Sequence, residues 1–272
     1  MRRGIRPIIG ATIVSAARTP CRKKPITIRP RIGEFNRRAS GRTIRQIDRL
    51  GKRVVVVLDD NQRIVFEPRM TGLVLIDEPP NQEHLRFEIC LRSKSHPRLW
   101  FWDRRGLGLV SLWRPDEYDA LFASRLGKDA LEASPDDLLA QFGKLKTPIK
   151  VALLDQRRLA GVGNLYAAEI LHVAKIHPAT RCLRIKPTQW QAIHRAMLKI
   201  LNAAIRSEGS TLSDGAYRNA INEPGQFQNQ HRVYDRAGER CLTCRKTEIV
   251  RIVQAQRATF FCPHCQTRGR AK

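Results

Sequence analysis

Cys241-Leu242-Thr243-Cys244, then seventeen residues, then Cys262-Pro263-His264-Cys265, close the chain. Two C-x-x-C knuckles at this separation supply four thiolates to one tetrahedral ion. The run between them is long enough for a hairpin that joins the two halves. A pair of disulfides fits the pattern less well. The other cysteines, Cys21, Cys90 and Cys182, are scattered, and the total of seven is odd. No apolar leader points to an oxidising compartment. The expectation is one structural Zn2+ held by Cys241, Cys244, Cys262 and Cys265, with His264 left exposed because four thiolates complete the site.

Outward from the cysteines the chain is strongly basic. It has 50 Lys and Arg against 25 Asp and Glu in 272 residues, a net charge of +25. That excess exceeds what solubility requires and implies a polyanionic partner, most simply nucleic acid. A membrane surface is the weaker reading. The sequence shows no basic amphipathic helix or lipidation signal, and no apolar run long enough to span a bilayer.

The first part of the chain reads as β structure. Short β-branched or aromatic runs at 11–17, 43–47, 53–58, 63–66, 73–76, 86–92 and 99–102 are broken by turn residues, which suggests a sandwich or barrel. From about residue 115 the pattern becomes helical. Ser134-Pro135-Asp136-Asp137 opens a helix with a capping box and a proline at its first position. Over 187–206, Trp190, Ile193, Met197, Ile200, Leu201, Ala204 and Ile205 share one face, as in a helix packed on a core. Residues 209–230 read as a long loop, which is uncommon unless functional or disordered. The expected organisation is a β-domain over 1–115, a helical domain over 116–230 and a zinc finger over 231–272.

In the helical part, Gly161-Val162-Gly163-Asn164 interrupts the helical pattern and then reopens it. Two glycines allow close backbone approach, and an open helix N-terminus binds phosphate. A plain helix–helix turn capped by Asn164 is an equally good reading of these residues alone.

Three stretches together resemble the formamidopyrimidine-DNA glycosylases. Pro148-Ile149-Lys150, Leu154-Asp155-Gln156, Gly161-Val162-Gly163-Asn164-Leu165-Tyr166, Glu169 and Ile176-His177-Pro178 are similar to that family's helix–two-turn–helix motif. The tail from Val233-Tyr234-Asp235 through Gln256-Arg257-Ala258-Thr259 to Cys265-Gln266 is similar to its zinc finger. Arg2-Arg3-Gly4-Ile5-Arg6-Pro7 resembles a run just inside its N-terminus. The likeness is weakest over 18–45 and 115–145. It implies an α+β fold: an N-terminal β-sandwich, a helical domain with the helix–two-turn–helix motif, and a C-terminal zinc-ribbon finger. It also implies a cytoplasmic, monomeric base-excision-repair glycosylase with AP lyase activity. Its partner is double-stranded DNA that carries oxidised purines or abasic sites.

The resemblance also assigns residues. Such enzymes turn the damaged nucleotide out of the duplex and fill the gap. Met70 and Arg105 match two of the gap-filling residues, with Arg105 facing the orphaned cytosine. Leu107 stands where the family usually has Phe, and it offers an apolar wedge that stacks less well. Lys52 matches a catalytic-site lysine, and Lys150 a lysine near the lesion. Asn164 and Arg257 match the pair that grips the flanking phosphates. Residues 209–230 correspond to the lesion-capping loop.

Two departures stand out. The family's nucleophile is an N-terminal proline followed by Glu, whereas this sequence opens Met1-Arg2-Arg3-Gly4, eight or nine positions later in the alignment. At about 1.5 Å per helical residue, the Met1 amine would lie on the order of 12 Å from the reacting position. Either the natural chain carries the proline upstream, which is the favoured expectation, or the protein binds damaged or abasic DNA without catalysis. Glu67-Pro68-Arg69-Met70 replaces the family's usual His-Leu-Gly-Met and adds a charge pair. A glycosylase of the endonuclease VIII type, acting on oxidised pyrimidines, is a further alternative. A non-enzymatic zinc-ribbon protein would leave Gly161 to Asn164, Met70 and Arg105 unexplained.

Overall fold

A computed structural model describes residues 1–123 and 125–267. The end of the segment expected as the zinc finger, 268–272, lies outside the described residues. The chain forms two units, Met1–Ala123 with Ser207–Gln228, and Ser124–Arg206 with Asn229–Lys272.

In the first unit, residues 1–8 begin as a helical turn, in which the Ile5 N–H donates to the Met1 carbonyl, followed by a 3-10 turn over Arg6–Ile8. Nine strands follow: β1 (Thr12–Arg18), β2 (Thr27–Arg29), β3 (Ile44–Leu50), β4 (Arg53–Leu58), β5 (Arg63–Glu67), β6 (Gly72–Leu75), β7 (Leu85–Arg92), β8 (Arg98–Asp103) and β9 (Leu109–Trp113). They make two sheets, ordered β1-β7-β8-β6 and β2-β9-β5-β4-β3. Pairing is antiparallel except between β2 and β9. Ile13, Ile89, Leu99 and Phe101 of the first sheet and Ile47, Val54, Val56 and Phe66 of the second lie in one buried cluster, so the sheets pack as a sandwich. The register Val55↔Val65 and Val65↔Ser111 buries side chains on the other face of the second sheet as well. This is why β4 and β5 read as continuous apolar runs and not as strict alternation.

One helix and two strands of the first unit were not anticipated. Helix α1 (Ile32–Ala39) packs Phe35 edge-on against Phe87, with ring centroids 5.3 Å apart. Only Phe35 and Ala39 of its eight residues are fully buried, too few to show a helical period in the sequence. Strand β9 is five residues long and β2 three, lengths at which periodicity carries little signal. Helix α2 (Pro115–Ala123) starts at the expected change of pattern.

The second unit holds α3 (Pro135–Phe142), α4 (Ile149–Ala152), α5 (Asn164–Val173) and α6 (Pro187–Arg206). Ser134 caps α3 as expected: its side chain accepts from the Asp137 N–H, and Asp137 accepts in return from the Ser134 N–H. Helix α6 spans the expected residues and buries Trp190, Ile193, Met197 and Ile200. The parallel pair β10 (Lys128–Asp129) and β11 (Leu159–Ala160) and the hairpin β12 (Val250–Gln254) and β13 (Arg257–Phe261) complete it. That hairpin joins the two cysteine knuckles. Among the described residues no helix is long and apolar enough to cross a membrane.

Candidate functional site

In the first unit, β5 and β6 are joined by Pro68-Arg69-Met70-Thr71, a tight turn closed by the Gly72 N–H donating to the Pro68 carbonyl at 2.9 Å. Arg69 takes a left-handed conformation with φ 57°, and Met70 is left 71% exposed at the tip. The second loop, Arg104 to Gly108, joins β8 to β9, and Leu107 protrudes from it, also exposed. Gly106 has φ +63°, and a Cβ there would lie 2.6 Å from the Lys24 carbonyl oxygen. Any other residue would push the loop outward.

One buried carboxylate aligns both loops. Asp103 is fully buried. Its Oδ1 accepts from the Thr71 hydroxyl at 2.6 Å and the Arg105 N–H at 3.2 Å, and its Oδ2 accepts from the Gly108 N–H at 2.7 Å. The Arg105 N–H also reaches the Thr71 oxygen at 3.1 Å. Arg86, itself buried, donates from Nε to the Asp103 carbonyl at 2.8 Å. With both loops so held, Arg105 Nη1 lies 3.0 Å from Met70 Sδ. The two side chains singled out in sequence meet at adjoining tips, but Thr71 and Asp103, which place them, were not singled out. The charge pair expected near Met70 is present: Glu67 lies 3.0 Å from Arg53 and 3.6 Å from Arg69. Lys52 is exposed in the turn between β3 and β4.

In the second unit the turn before α5 is fixed by Gln156. Its Oε1 accepts from the Gly161 N–H at 3.0 Å and its Nε2 donates to the Val162 carbonyl at 2.9 Å. Gly161 has φ +110°, which favours glycine. Gly163 is the N-cap of α5 and Asn164 its first helical residue, so Asn164 does not cap the helix. Its Nδ2 donates instead to the Ala258 carbonyl at 3.0 Å, and Lys150 Nζ donates to the same oxygen at 3.3 Å. Lys150, Asn164 and the residue next to Arg257 therefore converge on one atom of the zinc hairpin. Burial first, and the charge of Arg257 second, lower the Lys150 ammonium to about 8. Lys150 is fully buried, whereas Arg257 is exposed; the opening N–H groups of α5 lack helical partners, and beside the Arg257 guanidinium this corner suits a phosphate.

Helix α5 also fastens the zinc finger. The buried Glu169 Oε1 accepts from the backbone N–H groups of Arg232, Val233 and Tyr234 at 3.1, 2.9 and 2.9 Å. Burial raises its pKa, and those hydrogen bonds oppose the rise. The His172 ring nitrogens lie 2.9 Å from Thr243 Oγ1 and 3.1 Å from Gln266 Oε1, which ties the helix to both knuckles. The four Cys sulfurs all lie within 4.8 Å of one another, with Cys241–Cys265 at 3.9 Å and Cys244–Cys262 at 3.7 Å. Zn–S bonds of about 2.3 Å in a tetrahedron set sulfurs about 3.8 Å apart, so the residues fit one structural zinc ion. His264 is exposed, as expected.

Comparison with known proteins agrees with this geometry. Residues 1–110 match the formamidopyrimidine-DNA glycosylase N-terminal domain, 126–215 that family's H2TH domain, and 238–268 the zinc finger found in FPG and IleRS. The formamidopyrimidine-DNA glycosylase of Chloroflexus aurantiacus is 38% identical over 244 residues, 89% of this chain and 86% of that protein. The Thermus thermophilus enzyme is 34% identical over 98% of this chain and 96% of its own length. The crystal structure of the T. thermophilus MutM (Fpg) protein superposes with a TM-score of 0.85 at 33% identity, covering 98% of this chain and 96% of that one. Lactococcus lactis Fpg in complex with abasic-site DNA gives 0.86 at 28% identity, covering 98% and 97%.

Proposed function

Since this chain belongs to the formamidopyrimidine-DNA glycosylase family of DNA-repair enzymes, we propose that it excises 8-oxoguanine and formamidopyrimidines from double-stranded DNA and then cleaves the abasic strand. The observation that carries the reading is the meeting of Met70 and Arg105 at 3.0 Å on loops aligned by Asp103. A nucleotide turned out for chemistry leaves a hole in the stack. A protruding thioether, a planar guanidinium and the nearby Leu107 suit that hole, the first and last as apolar wedges and the second as a donor to the orphaned base.

Lys150, Asn164 and Arg257 hold the phosphates beside the extruded nucleotide. The net charge of +25 supplies the sequence-independent attraction that lets the protein search DNA, and this attraction falls with salt. The zinc ion is structural: it holds the hairpin that carries Arg257. In the covalent step an amine attacks the sugar C1′, the base leaves and an iminium forms, and β,δ-elimination then opens the strand. Lys52 assists proton transfer or the neighbouring phosphate at that stage. In the family the amine belongs to an N-terminal Pro-Glu pair, whereas residues 1–272 open Met1-Arg2-Arg3-Gly4.

Borohydride trapping on an 8-oxoguanine:cytosine duplex tests the reading, with residues 1–272 run beside a form whose N-terminal extension opens Pro-Glu. The extended form is expected to crosslink. If neither form crosslinks while both bind the lesion duplex tightly, the role is damage binding without excision. Preferential trapping on an oxidised pyrimidine would place the protein with the endonuclease VIII type.

A further inference from the structure

The segment 207–228 is pinned at its base and in its second half. The Phe227 N–H donates to the Gly209 carbonyl and the Gly225 N–H to Thr211 Oγ1, both at 2.9 Å. The Ile76 N–H donates to the Ala220 carbonyl at 2.9 Å, and Ala220 lies buried in the sandwich core. Its tip, residues 212–216, turns at Gly215, with φ +61°, and there meets Arg104. Arg104 Nη1 donates to the Asp214 carbonyl at 3.4 Å, and its Nη2 lies 3.6 Å from Asp214 Oδ2. Asp214 is itself oriented, because its Oδ1 accepts from the Ala216 N–H at 3.0 Å. On its other side Arg104 is the neighbour of Arg105, whose guanidinium touches Met70.

We propose that Arg104 is a positioning residue that latches the tip of the segment 207–228 to the gap-filling loop through Asp214, so that capping the extruded nucleotide and filling the space it leaves occur together. The latch rests on the glycosylase reading above. Arg104 acts through the loop it holds, by its contacts with Asp214. Its consequence is specificity: an undamaged nucleotide that does not stay extruded gains nothing from the latch, whereas a damaged one is held from both sides.

The test uses R104D, D214R and the exchanged pair R104D/D214R, which keeps the net charge of the wild type. Two readouts are taken on residues 1–272: the ratio of affinities for an 8-oxoguanine-containing duplex and its undamaged counterpart, and amide exchange over residues 210–218. Each single variant is expected to lose about threefold to fivefold of the affinity ratio, the upper range for an exposed ion pair. Exchange at the tip should quicken in both, and the exchanged pair should recover most of each effect. Singles that keep the wild-type ratio and exchange, or an exchanged pair that recovers neither, overturn the proposal. A wild-type chain with no preference for the lesion duplex would instead overturn the glycosylase reading. The exchange data would still report on the latch.

Discussion

Replacing Asp103 by Asn isolates the alignment of the two loops. The side chain keeps its shape, but one of its two acceptor oxygens becomes a donor. If the new amide faces Gly108, it opposes an N–H that Oδ2 accepts at 2.7 Å. If it faces the other way, the Thr71 hydroxyl turns to accept from it, and the Arg105 N–H loses its bond to Oδ1. The first arrangement leaves the Gly108 N–H unpaired; in the second the Arg105 N–H still reaches Thr71 Oγ1, but the Thr71 hydroxyl proton loses its acceptor; either costs about 3 kcal/mol. For a chain of this length that lowers Tm by roughly 6–12 °C. Thr71→Val removes only the hydroxyl at the same shape and should cost about 1 kcal/mol. Thermal melting measures the stability. Fluorescence anisotropy on 8-oxoguanine:cytosine and guanine:cytosine duplexes measures the function. Affinity for undamaged DNA should hold, since the phosphate-binding corner is untouched, while lesion preference should fall. A D103N protein that melts with the wild type and keeps its lesion preference would refute the reasoning.

Four further expectations follow from the second unit. Lys150 has a pKa of about 8 in the fold against 10.5 as a free side chain. Between those values the unfolded chain holds a proton the folded chain has released, so this group's contribution to stability rises with pH across that window. A bound phosphate draws the proton back, so DNA affinity should weaken as pH passes from about 7 to about 9, a step that Lys150→Arg flattens. Glu169→Gln keeps one oxygen for the Val233 and Tyr234 N–H groups but sets an NH2 where Oε2 accepts from the Arg232 N–H at 3.0 Å, and should destabilise by about 1–2 kcal/mol in denaturant titration. Chelation of zinc, or Cys262→Ser, should unfold residues 241–265 and abolish amide protection there while the sandwich stays protected. Ala255 and Gln256 both have positive φ, 45° and 60°, at the tip of the β12–β13 hairpin. Ala255→Gly should therefore stabilise the zinc-loaded protein by about 1 kcal/mol in thermal melts.

The parts of this molecule that can be read in sequence are those whose signal lies within one turn or one short spacing. The cysteine knuckles, the capping box at Ser134 and the apolar face of α6 are of that kind. Met70 and Arg105 could be named because their loops carry recognisable residues. Their organiser could not, because the bond from Thr71 to Asp103 spans 32 positions and depends on the register of β6 with β8. Gln156 illustrates the same limit. It stands out in Leu154-Asp155-Gln156, but its hold on Gly161 and Val162 appears only once the chain has turned back on itself. Asn164 has the side chain of a capping residue, yet Gly163 takes the cap and frees the amide for Ala258. That choice is set by the hairpin packed against α5, which no local pattern encodes.

The burial of Ala220 within the sandwich has a consequence for synthesis. The last strand of that sandwich, β9, ends at Trp113, so the core waits for a residue made more than a hundred positions later. At elongation rates of about 5–20 residues per second the interval is about 5–20 s. During that time the emerging sandwich has an unfilled notch beside Gly4 and Ile76, the residues that Ala220 meets when it arrives. The nascent chain must keep that notch from capturing other apolar segments, and translation pauses between residues 113 and 220 would lengthen its exposure.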